Sequence, residues 1–216
     1  MEFTQPIELP GRHYGNNRWS FKSWKLQREV QLYSDLEYEN ALILEFDPTV
    51  VKYCEQPTEI RDEQGNKSIP DVWVQYRDLS EAFEECKYET DLDESNPDNE
   101  RAIKQVKLQE RWCELHGYKH ILRTEKEVRA NPVLLDNYIE MHSYLRNHLH
   151  PVETEIKIVE RQVTMTGCSL KELHQTLNDL NKNAITEAVV WLIAQDRVMS
   201  NVETTPFGPM TEVRKK

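Results

Sequence analysis

This sequence lacks any excess of positive charge. Its 216 residues include 27 lysines and arginines against 38 aspartates and glutamates, which gives a formal net charge of −11. Such an excess of negative charge repels phosphates and anionic headgroups, so a general role as a cationic binder of nucleic acids or membranes is excluded. Any contact with DNA must therefore come from a local basic surface.

Long apolar runs and export signals are also missing. No stretch approaches the roughly 18 apolar residues that a membrane-spanning helix needs, so no membrane partner is expected. The first residues, MEFTQPIELPGR, contain neither the basic segment nor the apolar segment of a signal peptide. The four cysteines form no C-x-x-C pair and are expected to be reduced thiols in the cytoplasm. The seven histidines show no zinc spacing, which argues against a zinc site.

The predicted elements divide the chain into three parts. A basic, aromatic and irregular arm extends over 1–33, an α/β domain over 34–150, and a helical domain with a terminal hairpin over 151–216. The α/β domain begins with a helix that runs from Ser34 to the Asp47-Pro48 pair. Three helices followed by a hairpin are typical of a winged helix, although the same elements also occur without any DNA-binding role.

Local signals mark the ends of further helices. Gly117 is expected to end the helix that begins at Asn99. Thr124-x-x-Glu127 resembles a capping box, and Ser169-x-x-Glu172 is expected to open a helix of the C-terminal domain. Another helix is expected from Pro132 to about His148.

Two carboxylates and a lysine are expected to converge on neighbouring strands. Asp71 follows a proline at the start of one strand, and Glu85 and Lys87 lie two residues apart on the next, so both project from one face. Such a group can hold a hard divalent cation beside a phosphodiester. The lysine can orient the attacking water and stabilise charge at phosphorus. The competing interpretation is a turn aspartate followed by a salt bridge on an exposed sheet face.

Acidic residues nearby bear on this choice. Glu84 and Glu85 lie between apolar neighbours, so at least one of the two carboxylates should point inward. Glu37, on the preceding helix, is a further acid, but Ser34-x-x-Glu37 is also a capping box in which Glu37 returns to the Ser34 amide. Helix chemistry alone favours the cap. Glu39 is a second candidate, about 200° around the helix from Glu37.

An ordered series of segments gives the chain its resemblance to a known family. The segments are RWSFKSWKLQREV, SDLEYENALILEFDPTVVKYCEQP, IPDVWV, FEECK and ERAIKQVKLQERWCELHGYKHILRTEKEV. Together they resemble the TnsA family, the endonuclease subunit of heteromeric Tn7-like transposases of prokaryotes. The resemblance implies a restriction-endonuclease-like PD-(D/E)xK α/β core followed by a small winged-helix domain.

The resemblance also implies a site and a reaction. The catalytic residues would be Glu37, Asp71, Glu85 and Lys87, and the metal ligands would be Glu37, Asp71, Glu85 and the carbonyl of Cys86. The metal would be Mg²⁺, with Mn²⁺ as an alternative. The reaction would be hydrolysis of the 5′ strands at the transposon ends. The partners would be a DDE-type transposase subunit, which cuts and joins the 3′ ends, and an AAA+ ATPase regulator that binds the C-terminal domain.

Candidate DNA contacts come from the basic arm and from the helix after the E-x-K strand. They are Arg18, Lys22, Lys25, Arg28, Lys104 and Lys107. A solvated basic tail and a solvated helix face are competing interpretations. Two other functions also remain open, a stand-alone restriction or repair nuclease and a non-catalytic interaction subunit or winged-helix regulator.

Overall fold

The computed structural model describes residues 3–7, 17–145 and 152–216. The chain folds into two compact units. The first unit comprises Met1–Ser20, Val30–Leu44 and Thr49–Ala130, and the second comprises Phe21–Glu29, Glu45–Pro48 and Asn131–Lys216. The predicted domain boundary at 150/151 lies outside the described residues. None of the helices in the described ranges has the length and hydropathy of a membrane span.

A four-stranded mixed sheet organises the first unit. Its strands are β3 (Val50–Glu55), β6 (Val72–Tyr76), β7 (Glu81–Cys86) and β8 (Lys119–Arg123), in the order β3-β6-β7-β8. β3 and β7 pair antiparallel with β6, whereas β8 pairs parallel with β7. A parallel pair needs a long crossover, and α2 (Glu100–His116) provides it. Gly117 ends this helix as predicted, with a left-handed φ of 76°.

The first helix agrees with the sequence prediction, but the arm before it does not. α1 spans Asp35–Phe46 and ends before the Asp47-Pro48 pair. The arm was predicted to be irregular, yet β1 (Trp19–Ser23) and β2 (Arg28–Leu32) form a two-stranded sheet. Alternate residues of both strands are buried, which is the period of a strand with one covered face.

Shorter elements complete the first unit. β4 (Ile60–Arg61) and β5 (Lys67–Ser68) form an antiparallel hairpin, and α3 (Glu125–Val128) follows β8. The predicted capping box of Thr124 and Glu127 is present at the start of α3. The core includes an apolar cluster that Trp73 and Phe83 share with Phe3, Cys54 and Cys113.

Within its described residues, the second unit contains four helices and a small sheet. Its elements are α4 (Pro132–Leu145), α5 (Glu153–Gln162), β9 (Cys168–Ser169), α6 (Leu170–Thr176), α7 (Lys182–Ala194), β10 (Val198–Ser200) and β11 (Glu212–Lys215). The sheet order is β10-β11-β9, with both pairs antiparallel. The capping box predicted at Ser169 and Glu172 opens α6. Helix α7 is buried along most of its length, as its apolar sequence indicates.

Candidate active site

The P-D and E-x-K segments meet at the ends of β6 and β7. Val72 pairs with Glu84 in the antiparallel register, so Asp71 lies just beyond the last pair, beside the end of β7. The main-chain amide of Cys86 donates a hydrogen bond to Asp71 Oδ2 over 2.8 Å. Strand pairing therefore fixes the Asp71 carboxylate against the main chain of the E-x-K segment.

Glu37 lies in the first turn of α1, and its contacts differ from those of a complete capping box. The Glu37 amide donates to Ser34 Oγ over 3.1 Å, which is the expected cap. Its carboxylate, however, accepts from the Tyr33 amide over 3.1 Å rather than from the Ser34 amide. Gln56 Nε2 lies 3.5 Å from the same oxygen. Glu39, the other helix candidate, is paired with Arg129 at 2.7 Å.

Glu37, Asp71 and Cys86 line one small cavity, called here the Asp71 cavity. Its walls also include Asn40 and Glu55, together with Leu32, Ala41, Leu44, Tyr53 and Val72. The cavity has room for about one water-sized particle. The helix acid and the strand acid that were predicted from sequence therefore face the same space.

Glu85 is fully buried and does not line that cavity. Its Oε1 accepts from Lys87 Nζ over 2.6 Å and from Gln105 Nε2 over 2.7 Å, and its Oε2 accepts from Gln109 Nε2 over 2.8 Å. The amide of Gln109 also donates to Ser68 Oγ over 2.9 Å. We call these five residues the Glu85 cluster.

His120 orients the buried amide of the Glu85 cluster. Its Nε2 lies 3.0 Å from Gln109 Oε1. Because Gln109 Nε2 is occupied as a donor, its Oε1 is the acceptor and His120 must donate. Burial lowers the pKa of His120 to about 4, so the imidazole is neutral at physiological pH and carries its proton on Nε2.

The charges around the Asp71 cavity favour a bound cation. Burial raises the pKa of the Asp71 carboxyl well above its ordinary value, and the negative charges of Glu85 and Glu37 raise it further. Burial likewise raises the pKa of Glu37. For Lys87, burial alone would lower the pKa, but Asp71 and Glu85 outweigh it and raise the pKa, so the ammonium stays charged. Neighbouring carboxylates repel one another when both are ionised, and a divalent cation bound between them relieves this repulsion.

Glu84 forms a second buried cluster on the same strand. Arg123 Nη2 donates to its Oε1 over 2.7 Å, and the Tyr76 hydroxyl lies 3.3 Å from the same atom. Asn40 Nδ2 donates to its Oε2 over 2.8 Å. The expectation that at least one of the two adjacent glutamates points inward is confirmed, and in fact both are fully buried.

The residues that line the Asp71 cavity carry oxygen donors of the type that bind a hard cation. Three acids, Glu37, Glu55 and Asp71, line the cavity, and Cys86, whose main-chain carbonyl lies 3.4 Å from Lys87 Nζ, lines it as well. Carboxylates and carbonyls are the donors that Mg²⁺ prefers. No three His, Cys, Asp or Glu side chains within the described ranges are grouped closely enough to hold a metal. As a ligand, Glu85 would have to turn away from part of its cluster.

Two of the candidate DNA-binding residues form ion pairs on α2, and one in the arm lies against an aromatic ring. On α2, Lys104 pairs with Glu100 at 2.7 Å and Lys107 with Glu94 at 2.8 Å, all four side chains being exposed. In the arm, the Arg18 guanidinium lies 5.6 Å from the centre of the Tyr33 ring.

The arm's remaining basic residues belong to the second unit. Lys25 Nζ donates to the Asp47 carbonyl over 2.8 Å, Arg28 Nη1 donates to the Glu29 carbonyl over 3.0 Å, and Lys22 is exposed.

Three polar residues of the site were not predicted from the sequence. Gln105 and Gln109 are four apart on α2 and both reach Glu85, and Asn40 on α1 lines the Asp71 cavity. The four-residue spacing places the two amides on one helix face, a signal visible in the sequence. Their shared partner, Glu85, is brought next to them only by the pairing of strands that are distant in the sequence.

Residues 47–125 match a protein-family model described as TnsA-like endonuclease N terminal. The match spans β3 to β8 and includes Asp71, Glu85, Cys86 and Lys87, while Glu37 precedes it. No curated protein matches the chain. The family match supports the assignment to the TnsA family that the sequence motifs indicate.

Proposed function

We propose that this TnsA-like protein is the metal-dependent DNA endonuclease subunit of a heteromeric transposase. It hydrolyses the 5′ strands at the transposon ends during cut-and-paste transposition. The observation that carries the proposal is the Asp71 cavity. There, two acids with raised pKa, Glu37 and Asp71, line one space together with Cys86 at the end of the E-x-K strand, and Asp71 and Cys86 lie inside the segment that matches an endonuclease family.

Different residues have different roles in the proposed reaction. Glu37, Asp71 and the Cys86 carbonyl would hold the divalent ion, Mg²⁺ or Mn²⁺, which when bound would supply an activated water and neutralise charge on the phosphate. Glu85 holds the Lys87 ammonium at 2.6 Å, and its own buried carboxylate is fixed by Gln105 and Gln109. Glu85 acts as a further ligand only if it turns out of this cluster.

Lys87 acts as a cation rather than as a general base. The neighbouring acids raise its pKa, so it has no tendency to lose a proton near neutral pH. An ammonium in this position orients the attacking water and stabilises the charge that develops on the phosphate oxygens. Its hydrogen bond to Glu85 limits the positions that the flexible lysine can occupy, which lowers the cost of orienting it.

The proposed fold follows from the same observations. The first unit has the mixed sheet, crossover helix and P-D/E-x-K placement expected for a restriction-endonuclease-like core. In the second unit, α5, β9, α6, α7, β10 and β11 follow one another in the order of a winged helix. Helix α7 is buried along most of its length, which leaves little of it for base readout, so we assign this unit to protein docking.

Partners are required because the protein is poorly equipped to hold DNA alone. The net charge of −11 opposes binding, and two of the six basic candidates, Lys104 and Lys107, are already paired with acids. We propose that the DDE transposase and the AAA+ regulator deliver the DNA, and that the C-terminal unit binds the regulator. Lys22 and Arg18 are then the leading phosphate contacts of the arm.

The test is a reconstituted reaction with transposon-end DNA, this protein, the transposase and the ATPase. We expect 5′-strand cuts only when all the proteins and Mg²⁺ are present, and we expect EDTA to abolish them. Strong Mg²⁺-dependent nicking of unrelated plasmid by the protein alone would contradict the need for partners. Cutting that persists in EDTA would contradict the metal. Omission of this protein must remove the 5′ cuts while 3′ joining remains.

A further inference from the structure

Asn40 is a buried polar residue whose acceptor atom has no partner. Its side chain is 2% exposed and lies one helical turn after Glu37 on α1, on the same face. Within the described ranges, Asn40 Oδ1 forms no hydrogen bond. A buried carbonyl oxygen without a hydrogen-bond partner destabilises the fold, so its position beside a cavity suits a ligand that the oxygen can bind.

The orientation of the amide is fixed by Glu84. Arg123 and Tyr76 both contact Glu84 Oε1, which leaves Oε2 to accept from Asn40 Nδ2 over 2.8 Å. Rotation of the amide by 180° would bring Asn40 Oδ1 against that carboxylate oxygen, placing two acceptors together. Asn40 therefore keeps its nitrogen toward Glu84 and its oxygen away from it.

The unpaired oxygen belongs to a residue that lines the Asp71 cavity. Glu37, Asp71 and the Cys86 main chain line the same cavity, which has room for about one water-sized particle. A particle in so small a space contacts the walls directly. Amide carbonyls are ordinary ligands of hard divalent cations.

We propose that Asn40 Oδ1 is a further ligand of the divalent cation in the Asp71 cavity. This inference rests on the proposed function and adds a residue to its cation site. Glu37, Asp71, Cys86 and Asn40 would then each supply an oxygen to the cation. Glu84 acts through Asn40 as a positioning residue, which accounts for a second buried glutamate beside Glu85.

The experiment measures Mn²⁺ binding to the metal-free full chain by titration calorimetry. We compare the wild type with Asn40→Leu, Asn40→Asp and Asp71→Ala. Asn137→Leu is the matched control, because Asn137 is also buried and its amide also donates, to the Val202 and Thr205 carbonyls, but it belongs to the second unit. Circular dichroism establishes that each variant is folded, and serine replaces leucine at both positions if a leucine variant does not fold.

We expect Asn40→Leu to weaken Mn²⁺ binding at least about tenfold, the lower end of the loss that follows removal of a group that merely orients a ligand. Asn40→Asp keeps an oxygen toward the cavity but turns a second acceptor toward Glu84 Oε2, so it should bind Mn²⁺ more tightly than Asn40→Leu without having to match the wild type. Asn137→Leu should match the wild type. If Asn40→Leu binds as tightly as the wild type while Asp71→Ala does not bind, Asn40 is not a ligand and the cation site stands. If the wild type itself binds no Mn²⁺, the proposed metal-dependent function fails, and this inference fails with it.

Discussion

The amide nitrogen of Cys86 lies 2.8 Å from Asp71 Oδ2 and donates a hydrogen bond to it. This contact joins the P-D segment to the E-x-K segment, which are 15 residues apart in the chain. It holds the Asp71 carboxylate at the Asp71 cavity, although burial and two neighbouring acids raise its pKa. In the metal-free protein, acids that repel one another when ionised are therefore held close together.

Asp71→Asn should stabilise the metal-free protein. The substitution removes a buried carboxylate that repels Glu37 and Glu85. We expect a gain of roughly 1 kcal/mol, or about 2–4 °C in melting temperature, of the size seen when a functional site is relieved of strain. Thermal denaturation in EDTA at neutral pH measures it. A lower melting temperature for Asp71→Asn would contradict the repulsion inferred here.

The gain from Asp71→Asn should also depend on pH in a defined direction. The folded pKa of Asp71 lies above its ordinary value of 3.8, so the folded state binds the proton more tightly than the unfolded state. The contribution of protonated Asp71 to the free energy of unfolding is therefore lost as pH rises from about 4 through the pKa of the folded state. The difference between wild type and variant should be small below pH 4 and should grow toward neutrality. A difference that is constant across this range would count against the assignment.

Gln109→Leu should destabilise the first unit. The substitution leaves Glu85 Oε2, Ser68 and His120 without their shared amide. An unsatisfied buried polar group costs about 1–3 kcal/mol, which corresponds to a fall of several degrees in melting temperature. Lys104→Ala, on the same helix but exposed, is the control and should change stability by less than about 1 kcal/mol. Equal effects of the two substitutions would show that the Glu85 cluster does not stabilise the fold.

His120 should titrate with a pKa of about 4. Burial lowers its pKa from 6.5, so the folded state binds the proton less tightly than the unfolded state. Stability is then fully present above about pH 6.5 and falls as pH decreases through 4. An NMR titration that follows the His120 ring proton measures the value directly. Titration near pH 6.5 would mean that the imidazole is exposed and does not hold the Gln109 amide.

Local sequence signals predicted many of the elements. The caps at Thr124 and Ser169, the Asp47-Pro48 stop of α1 and the Gly117 end of α2 depend on residues within one helical turn, and the structure confirms them. The β1–β2 hairpin was missed because the aromatic and basic side chains of the arm obscured its alternation. The 150/151 boundary and the end predicted for the helix near 148 lie outside the described residues.

The site was predictable only in part, for a physical reason. Asp71, Glu85 and Lys87 form a recognisable motif, and the structure brings their segments together. Asn40, Gln105 and Gln109 are ordinary polar residues on helices. The spacing of Gln105 and Gln109 places both on one helix face, but it does not show that this face is turned toward Glu85 rather than toward solvent. Their importance arises from contacts with Glu84 and Glu85, made across 44, 20 and 24 residues of chain. Such contacts depend on tertiary packing, which a local pattern does not record.

The central claim is that a cation site built on Asp71 cuts the 5′ strands of the transposon ends. The most direct test compares wild type and Asp71→Ala in the reconstituted reaction with transposase, ATPase and Mg²⁺, with strand-specific detection of cuts. We expect Asp71→Ala to lose the 5′-strand cuts and to keep 3′ joining by the transposase subunit. Equal 5′-strand cutting by the two proteins would contradict it and would favour a non-catalytic interaction subunit.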